Sequence, residues 1–350
     1  MKKRIFTLFL ALTLVLVSLA SCVSKKDTET PTGDGNQKVL TLTNALDLTA
    51  EWDKVTTPGS LVQGCVVVRT EFLEQHPEAV AKFLTEYKAS IQYLSTNIAE
   101  TATMIEANGI FEKAAIAQKA IPKCNVTYLD GAEMKAAMQN YLSVLNSINP
   151  KSIGGSIPSD DFYYTPAQTT TETNDNTTVR VFTLNGTTGF GMAKLMNDAK
   201  SGTASQNYSF EVKSDASVVT DALINGDVDI AALPTNAAAN VYNKTQGGVK
   251  ILAVNTLGCL YLLTNQNTTV TSFADLKGKT VYVPAQNPTF IFTYLCRQNG
   301  LEIGKDVIID SQYAAAANLR DAVTAGVVDI AVLPEPMVTI AMSKVASASK

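Results

Sequence analysis

Histidine is almost missing from this chain: there is one, His76, in 350 residues. A catalytic Ser-His-Asp arrangement therefore has a single place to form, and the histidine-rich sets that hold zinc are excluded. His76 precedes Pro77 at the expected start of a helix, on the side of its domain away from any cleft, where it reads as an exposed N-terminal residue. Cysteine is scarce too. Beyond Cys22 there are Cys65, Cys124, Cys259 and Cys296, none in a CxxC pair and none at metal-ligand spacing from His or a carboxylate. Cys65 and Cys259 lie in apolar runs (GCVVV and GCLYLL) and read as small buried hydrophobes; a disulfide among the four stays open. Nor is there an excess of cations. The net charge is −4, or −7 without Lys2, Lys3 and Arg4, which argues against a nucleic-acid partner. No cofactor is implied.

The N-terminus has a short apolar run, Ile5 to Leu19, behind the basic Lys2, Lys3 and Arg4. It is too short for a comfortable membrane span and reads as an export signal over 1–22. Its end, Leu19-Ala20-Ser21-Cys22, looks like a bacterial lipobox. Cys22 is then the lipidation site, with an ordinary signal peptide and a chance cysteine as the alternative. Residues 23–37 are polar, carry Gly and Pro, and lack periodicity, as a flexible tether does.

What the chain does have is a repeat. Residues 221–234 read DALINGDVDIAALP and residues 321–334 read DAVTAGVVDIAVLP, identical at nine positions and one hundred residues apart. The pattern predicts a helix ending at Gly226 or Gly326, a two-residue connection, and a short apolar strand that Pro234 or Pro334 stops just past its carboxyl end. Two copies this far apart mean two α/β units built alike, too widely spaced for a solenoid. A cleft between two such units is where small ligands bind.

Elsewhere, strands are expected at 38–43, 64–69, 179–184, 208–213, 228–233, 250–254, 259–263, 280–283, 307–310 and 328–333. Helices are expected from Pro77, over about 99–108, 111–120 and 132–148, and from about 189, 216, 289 and 314. The first has Val80, Phe83, Leu84, Tyr87, Ile91 and Leu94 on one face. Such alternation predicts mainly parallel sheets covered on both faces, with ligands beyond the strand carboxyl ends.

Several stretches now resemble one family. VRVFTLNGTTGFGMAKL, FADLKGKTVYVPAQNPT and GVVDIAVLPEPMVT, together with GCVVVRTEFLEQHPEAVAKFLTEYKASIQYL, are similar to the extracytoplasmic substrate-binding proteins of ABC importers. The likeness is to the group that includes nitrate, sulfonate, taurine and thiamine-precursor binders. The resemblance implies an α/β, two-lobed fold of the type 2 periplasmic-binding-protein kind. The order is unusual, however: the part resembling the family's first half is 178–350, so the chain reads as a circular permutation. The implied domains are 62–163 and 178–262 for lobe 1, 38–61 and 263–350 for lobe 2, and 164–177 for a linker joining the family's usual termini. Crossovers fall near 264–267 and 56–61, and Lys38 and Lys350 are expected to be neighbours.

Candidate ligand contacts are the residues that follow strands. They are Thr187, Thr188 and Gly189 at a helix N-terminus, Ser214, Thr235 and Asn236, then Gln286, Asn287, Thr289, Tyr313 and Glu335. Asn255 and Thr256 are weaker candidates. Ser214-Asp215 doubles as a helix cap, Phe290 suits the core, and Glu335 serves either a cationic group on the ligand or backbone capping. These loops contain no Lys or Arg, which disfavours a dianion and fits a neutral, zwitterionic or monoanionic solute. Asp229 and Asp329 begin strands, away from the ligand end, and read as structural rather than catalytic. The expected function is capture of a small organic solute by a monomeric lipoprotein on the outer face of the membrane, for delivery to an ABC permease. A membrane-anchored sensor is the alternative. An enzyme of the same fold, of the thiamine-pyrimidine or menaquinone type, is a further one that the missing histidines disfavour.

Overall fold

A computed structural model describes residues 40–165 and 177–348. The signal segment, Cys22, the tether, most of the linker, and the nearness of Lys38 to Lys350 lie outside the described residues. All that is described belongs to one compact unit, Val39–Lys350.

Strand β1 (Leu42–Asp47) ends where the Asp47 carboxylate accepts the N–H groups of Thr49 and Ala50, and that cap starts α1 (Leu48–Val55). The chain then crosses at 56–61 into β2 (Val62–Arg69), an almost wholly buried apolar run. Helix α2 (Thr70–Gln75) follows, and Pro77 opens α3 (Pro77–Thr96), whose Val80, Phe83, Tyr87, Ile91 and Leu94 are buried as their spacing predicts. Next come α4 (Ile98–Ala107), α5 (Ala114–Ala120), β3 (Val126–Leu129) and α6 (Gly131–Ile148).

After the linker the alternation begins: β4 (Thr178–Leu184), α7 (Thr187–Phe190), α8 (Ala193–Ser201), β5 (Asn207–Lys213), α9 (Ala216–Asn225), β6 (Ile230–Pro234), α10 (Thr235–Thr245) and β7 (Val249–Leu257). The remaining elements are β8 (Leu260–Asn265), β9 (Lys279–Tyr282), α11 (Asn287–Gln298), β10 (Val307–Asp310), α12 (Ala316–Thr324), β11 (Ile330–Pro334) and α13 (Met337–Ala348). Both glycines of the repeat take the left-handed conformation, Gly226 at φ 81° and Gly326 at φ 72°. The prolines are one step earlier than expected. Pro234 and Pro334 are the last residues of β6 and β11, opposite Gly64 and Leu260.

The strands form two sheets of matching order. One runs β5-β4-β6-β2-β7-β3 and the other β10-β9-β11-β8-β1, so the repeated segments occupy equivalent central positions. The expectation of mainly parallel sheets needs correction. β4, β5 and β6 are parallel, as are β9, β10 and β11, but β2 runs antiparallel to β6 and β7, and β8 antiparallel to β11 and β1. Connectivity explains the reversal. Each reversed strand enters its sheet from the junction, where the other strands end, and can only run away from it. For the same reason the second crossover lies at Gly258-Cys259, before β8, and not at 264–267; residues 260–262 belong with the five-stranded sheet.

One hydrophobic core is private to the six-stranded lobe (Val66, Phe83 and Phe190 among its members) and another to the five-stranded lobe (Leu263, Leu319, Leu333). A third runs through both, from Met138 and Tyr141 past Trp52 to Phe292. The first and last described segments lie on the same lobe: Leu40 packs beside Gly326, and α13 packs on α12.

Candidate functional site

Where the two lobes meet, the segments following β6 and β9 touch, and so do the amino ends of β2 and β8. The Glu335 N–H, just past β11, donates to the carbonyl of Cys259 at 2.9 Å. The Cys259 N–H in turn donates to Oε1 of Gln63, at the start of β2, at 2.8 Å. The Asn287 amide, at the start of α11, donates from Nδ2 to Oδ1 of Asn236, at the start of α10, at 2.8 Å. The Tyr261 hydroxyl donates to the carbonyl of Lys123 at 3.0 Å. The Thr187 hydroxyl reaches the Cys259 thiol. These contacts define a polar seam between lobes, the arrangement the repeat implies.

Of the candidate residues, the seam brings together Thr187, Asn236, Asn287 and Glu335. Gln286 is exposed beside Asn287, with φ at 70°. Thr289 and Tyr313 are half-buried on the five-stranded lobe. The Thr289 hydroxyl donates to the Pro284 carbonyl at 2.7 Å, and Tyr313 packs against Tyr282 with ring centroids 5.9 Å apart. Phe290 packs against the shared core.

Other candidates are used internally. Thr235 is fully buried and its hydroxyl donates to the Val62 carbonyl at 2.7 Å, tying α10 to β2. Asn255 and Thr256 bond one another, and Asn255 also donates to the Tyr87 hydroxyl at 3.0 Å. Ser214 is exposed, and Asp215 caps α9 by accepting the Ser217 N–H at 2.8 Å.

The expected helix N-terminus at 187–189 is a single turn, because α7 has four residues. The loop before it is already bonded: Asn185 N–H donates to the Lys213 carbonyl and Gly186 N–H to the Ile110 carbonyl. A side chain on Gly189 would come within 2.2 Å of the Leu184 carbonyl, so this glycine serves close packing rather than ligand approach. Thr188 offers its carbonyl to Asn255 at 3.3 Å.

Nothing in the sequence marks Gln63, which precedes the expected strand 64–69, or Cys259, which reads as part of an apolar strand, and the cations near the seam are equally unmarked. Lys151 and Lys244 line a cavity of about 270 Å³ together with Asn236 and Gln286. Lys113, Arg320 and Lys344 line another, of about 380 Å³, between α13 and the segment before α5. Four of the five are helical and Lys113 immediately precedes α5, places where a lysine or arginine ordinarily reads as a solvated face.

Glu335 is buried. Its carboxylate accepts the Thr339 N–H at 3.0 Å and the Thr339 hydroxyl at 2.9 Å, capping the start of α13. The backbone-capping alternative thus describes its bonds. Burial pushes its pKa above the usual carboxylate range, although the two Thr339 bonds and Lys123 pull the other way. A carboxyl raised in the folded state binds its proton more tightly there than in the unfolded chain. Its stabilising contribution is full below the ordinary carboxylate range and is lost as pH climbs through the raised value. Glu335→Gln should therefore gain stability relative to the unaltered protein as pH rises from the ordinary carboxylate range toward neutrality. Urea midpoints at a series of pH values test this, and a constant difference between the two proteins would refute it.

Burial also pushes the thiols up, Cys259 and Cys296 to about 12, so neither is a thiolate nucleophile at neutral pH. His76 is half-buried rather than exposed, its ring against Phe72 at 4.9 Å. No cluster able to hold a metal ion occurs among the described residues, and no described helix is long and apolar enough to cross a membrane.

Comparison with known proteins gives one family match, over part of the chain, and several partial likenesses to solved structures. Residues 192–347 match the family described as "ABC transporter, phosphonate, periplasmic substrate-binding protein". No curated protein matches the chain. Among solved structures, an ABC transporter protein from Parabacteroides distasonis is 22% identical, with a TM-score of 0.34 over 49% of this chain and 56% of that one. The periplasmic aliphatic sulphonate binding protein SsuA from Escherichia coli is 18% identical, with a TM-score of 0.36 over 48% and 57%. The alkanesulfonate-binding protein SsuA from Xanthomonas axonopodis pv. citri, bound to MOPS, is 17% identical, with a TM-score of 0.30 over 45% and 55%. The chain thus spans little more than half the length of each of these structures. The resemblance to extracytoplasmic substrate-binding proteins of ABC importers stands over the matched residues.

Proposed function

We propose that this chain is an extracytoplasmic solute-binding protein that captures a small organic molecule between its two lobes and delivers it, unaltered, to an ABC permease. One observation carries the reading: two sheets of matching strand order are joined by crossovers at 56–61 and 258–259, and the segments following β6 and β9 meet between them. Two short connections at one edge suit hinge closure about a bound ligand. The family matched by residues 192–347 supports the same role.

The order of the lobes along the chain is read as a circular permutation, supported by the first and last described segments sharing a lobe. The ligand is neutral, zwitterionic or monoanionic: the strand-end loops carry amides, hydroxyls and Glu335, and Lys151 and Lys244 beside Asn236 and Gln286 are available to a single negative charge. Thr187, Asn236, Gln286 and Asn287 are its first contacts, with Tyr313 offering a ring to stack on. The protein acts as a monomer, held at the outer face of the membrane through a lipid on Cys22, which raises its local concentration at the permease.

A thermal-shift screen against phosphonates, sulfonates, pyrimidines, amino acids and nitrate tests the proposal. A true ligand at a hundredfold over its Kd stabilises the folded state by about 2.7 kcal/mol, or roughly 5 °C for a chain of this size. It should be recovered chemically intact by mass spectrometry. No shift with any of these classes, or a converted product, would count against the reading.

A further inference from the structure

The two crossovers between the lobes are held very differently. Thr57, Pro58 and Gly59 of the first are exposed, and Gly59, at φ 75°, has open space where a side chain would be. Backbone N–H groups here bond locally: Thr57 to the Thr56 hydroxyl at 2.6 Å, Gly59 to the Asp53 carboxylate at 3.0 Å, and Ser60 to the Thr57 carbonyl at 3.2 Å. Asn140 of α6 bonds the side chains of Thr56 and Thr57, at 2.9 and 3.2 Å.

The second crossover, Gly258-Cys259, is buried and tied from both sides. From the six-stranded lobe, Asn125 donates from Nδ2 to the Gly258 carbonyl at 2.5 Å, its own carbonyl accepts the Leu257 N–H at 3.0 Å, and Gln63 accepts the Cys259 N–H. From the five-stranded lobe, the Glu335 N–H bonds the Cys259 carbonyl, and Thr49 of α1 leaves no room for a side chain at position 258. Asn125 makes its two bonds with φ at 47°, a left-handed conformation that persists in a residue with a Cβ where its surroundings hold it there. When two bodies joined by two connections rotate, displacement is smallest at the connection fixed to both. The other connection must absorb the change in φ and ψ.

We propose that the lobes rotate about Gly258-Cys259, that Thr57–Gly59 absorb the displacement, and that Asn125 is the positioning residue that fixes the pivot. Asn125 acts through the backbone of the crossover rather than on a solute. The assignment rests on the reading that the lobes close about a solute, but its test uses the protein alone, so failure of one leaves the other standing.

Hydrogen exchange followed by NMR should show the Leu257 and Cys259 amides exchanging at least about a hundredfold more slowly than those of Thr57 and Gly59. Asn125→Gly suits the left-handed backbone and removes the side-chain donor. It should speed exchange at Leu257 and Cys259 by about fivefold to tenfold, as loss of one hydrogen bond does, and leave Val67 and Leu262, inside the two sheets, unchanged. Asn140→Ala, at the other crossover, should not alter Leu257 or Cys259. Spin labels attached through K200C and K305C, at exposed positions on opposite lobes, should report a broader distance distribution once Asn125→Gly is added. The assignment is overturned if the two crossovers exchange alike in the unaltered protein, if Asn125→Gly leaves Leu257 and Cys259 unchanged or speeds Val67 and Leu262 equally, if Asn140→Ala loosens them as much, or if the label distances are no broader.

Discussion

Replacing Trp52 with Ala should cost the protein about 4 kcal/mol and lower its melting temperature by about 8 °C. Trp52 is the single tryptophan of the chain and is fully buried. It belongs to α1, immediately before the 56–61 crossover, and its ring lies between two others: Tyr141 of α6 at 5.8 Å and Tyr294 of α11 at 5.0 Å. One of those helices packs on the six-stranded sheet and the other belongs to the five-stranded lobe, so the indole fills the core the lobes share. Its Nε1–H donates to the Ser60 hydroxyl at 2.9 Å, inside the crossover itself. Truncation leaves a cavity and removes that donor from a buried Ser60. Trp52→Phe restores much of the ring volume but not the donor, and should recover more than half of the loss, since the hydrogen bond alone contributes about 1 kcal/mol. Urea denaturation followed by circular dichroism measures both variants. A Trp52→Ala midpoint within error of the unaltered protein would show that the shared core contributes nothing at this crossover.

Trp52 also marks where the sequence stops being informative. The repeated segment announces two like units, and the match of β6 with β11 at the centre of each sheet follows from it. The reversed strands β2 and β8 do not, because a run such as GCVVV is buried on both faces and carries no sign of its direction. Nor does the crossover at 258–259. The apolar residues continue from β7 into β8 with only Gly258 between them, and that glycine is required because a side chain there would meet Thr49 and Leu61. Helix α10 is not among the expected helices: its sequence, TNAAANVYNKT, is rich in Asn and Thr, which are weak helix formers.

The site was legible at the level of loops and less so at the level of atoms. Asn236 and Asn287 were found because both follow strands, and they do meet across the seam. Thr235, one residue away, follows the same strand and points inward to Val62. Its position in the sequence could not reveal which way its hydroxyl turns. Strand ends do not point to the cations, because Lys151, Lys244 and Arg320 arrive from helical turns.

The two aspartates of the repeat should differ sharply when removed, although the sequence presents them as equivalents. Asp229→Ala is expected to destabilise by about 3 kcal/mol. Asp229 is 2% exposed, and its carboxylate accepts the backbone N–H of Arg180 at 2.9 Å and the Arg180 guanidinium at 3.0 and 2.5 Å, with Arg69 at 3.6 Å. Its own backbone donates to the Arg180 carbonyl and accepts from the Arg69 N–H, so it joins the ends of β2, β4 and β6. Without the carboxylate, a strand-end amide loses its acceptor and the Arg180 guanidinium loses its partner, while Arg69 keeps its pair with Glu71. The estimate sits at the low end for a broken buried pair because the Arg180 side chain is 42% exposed and water can hydrate it. Asp329 is exposed and accepts a single side-chain bond, from Asn265 Nδ2. Asp329→Ala should therefore cost about 1 kcal/mol or less. A double-mutant cycle of Asp229 with Arg180 should return a coupling of about 1–2 kcal/mol, and Asp329 should show none with the same arginine. Equal losses for the two alanine variants would mean that the arginine pair adds nothing, and that the repeated aspartate acts in both lobes only through the backbone it caps.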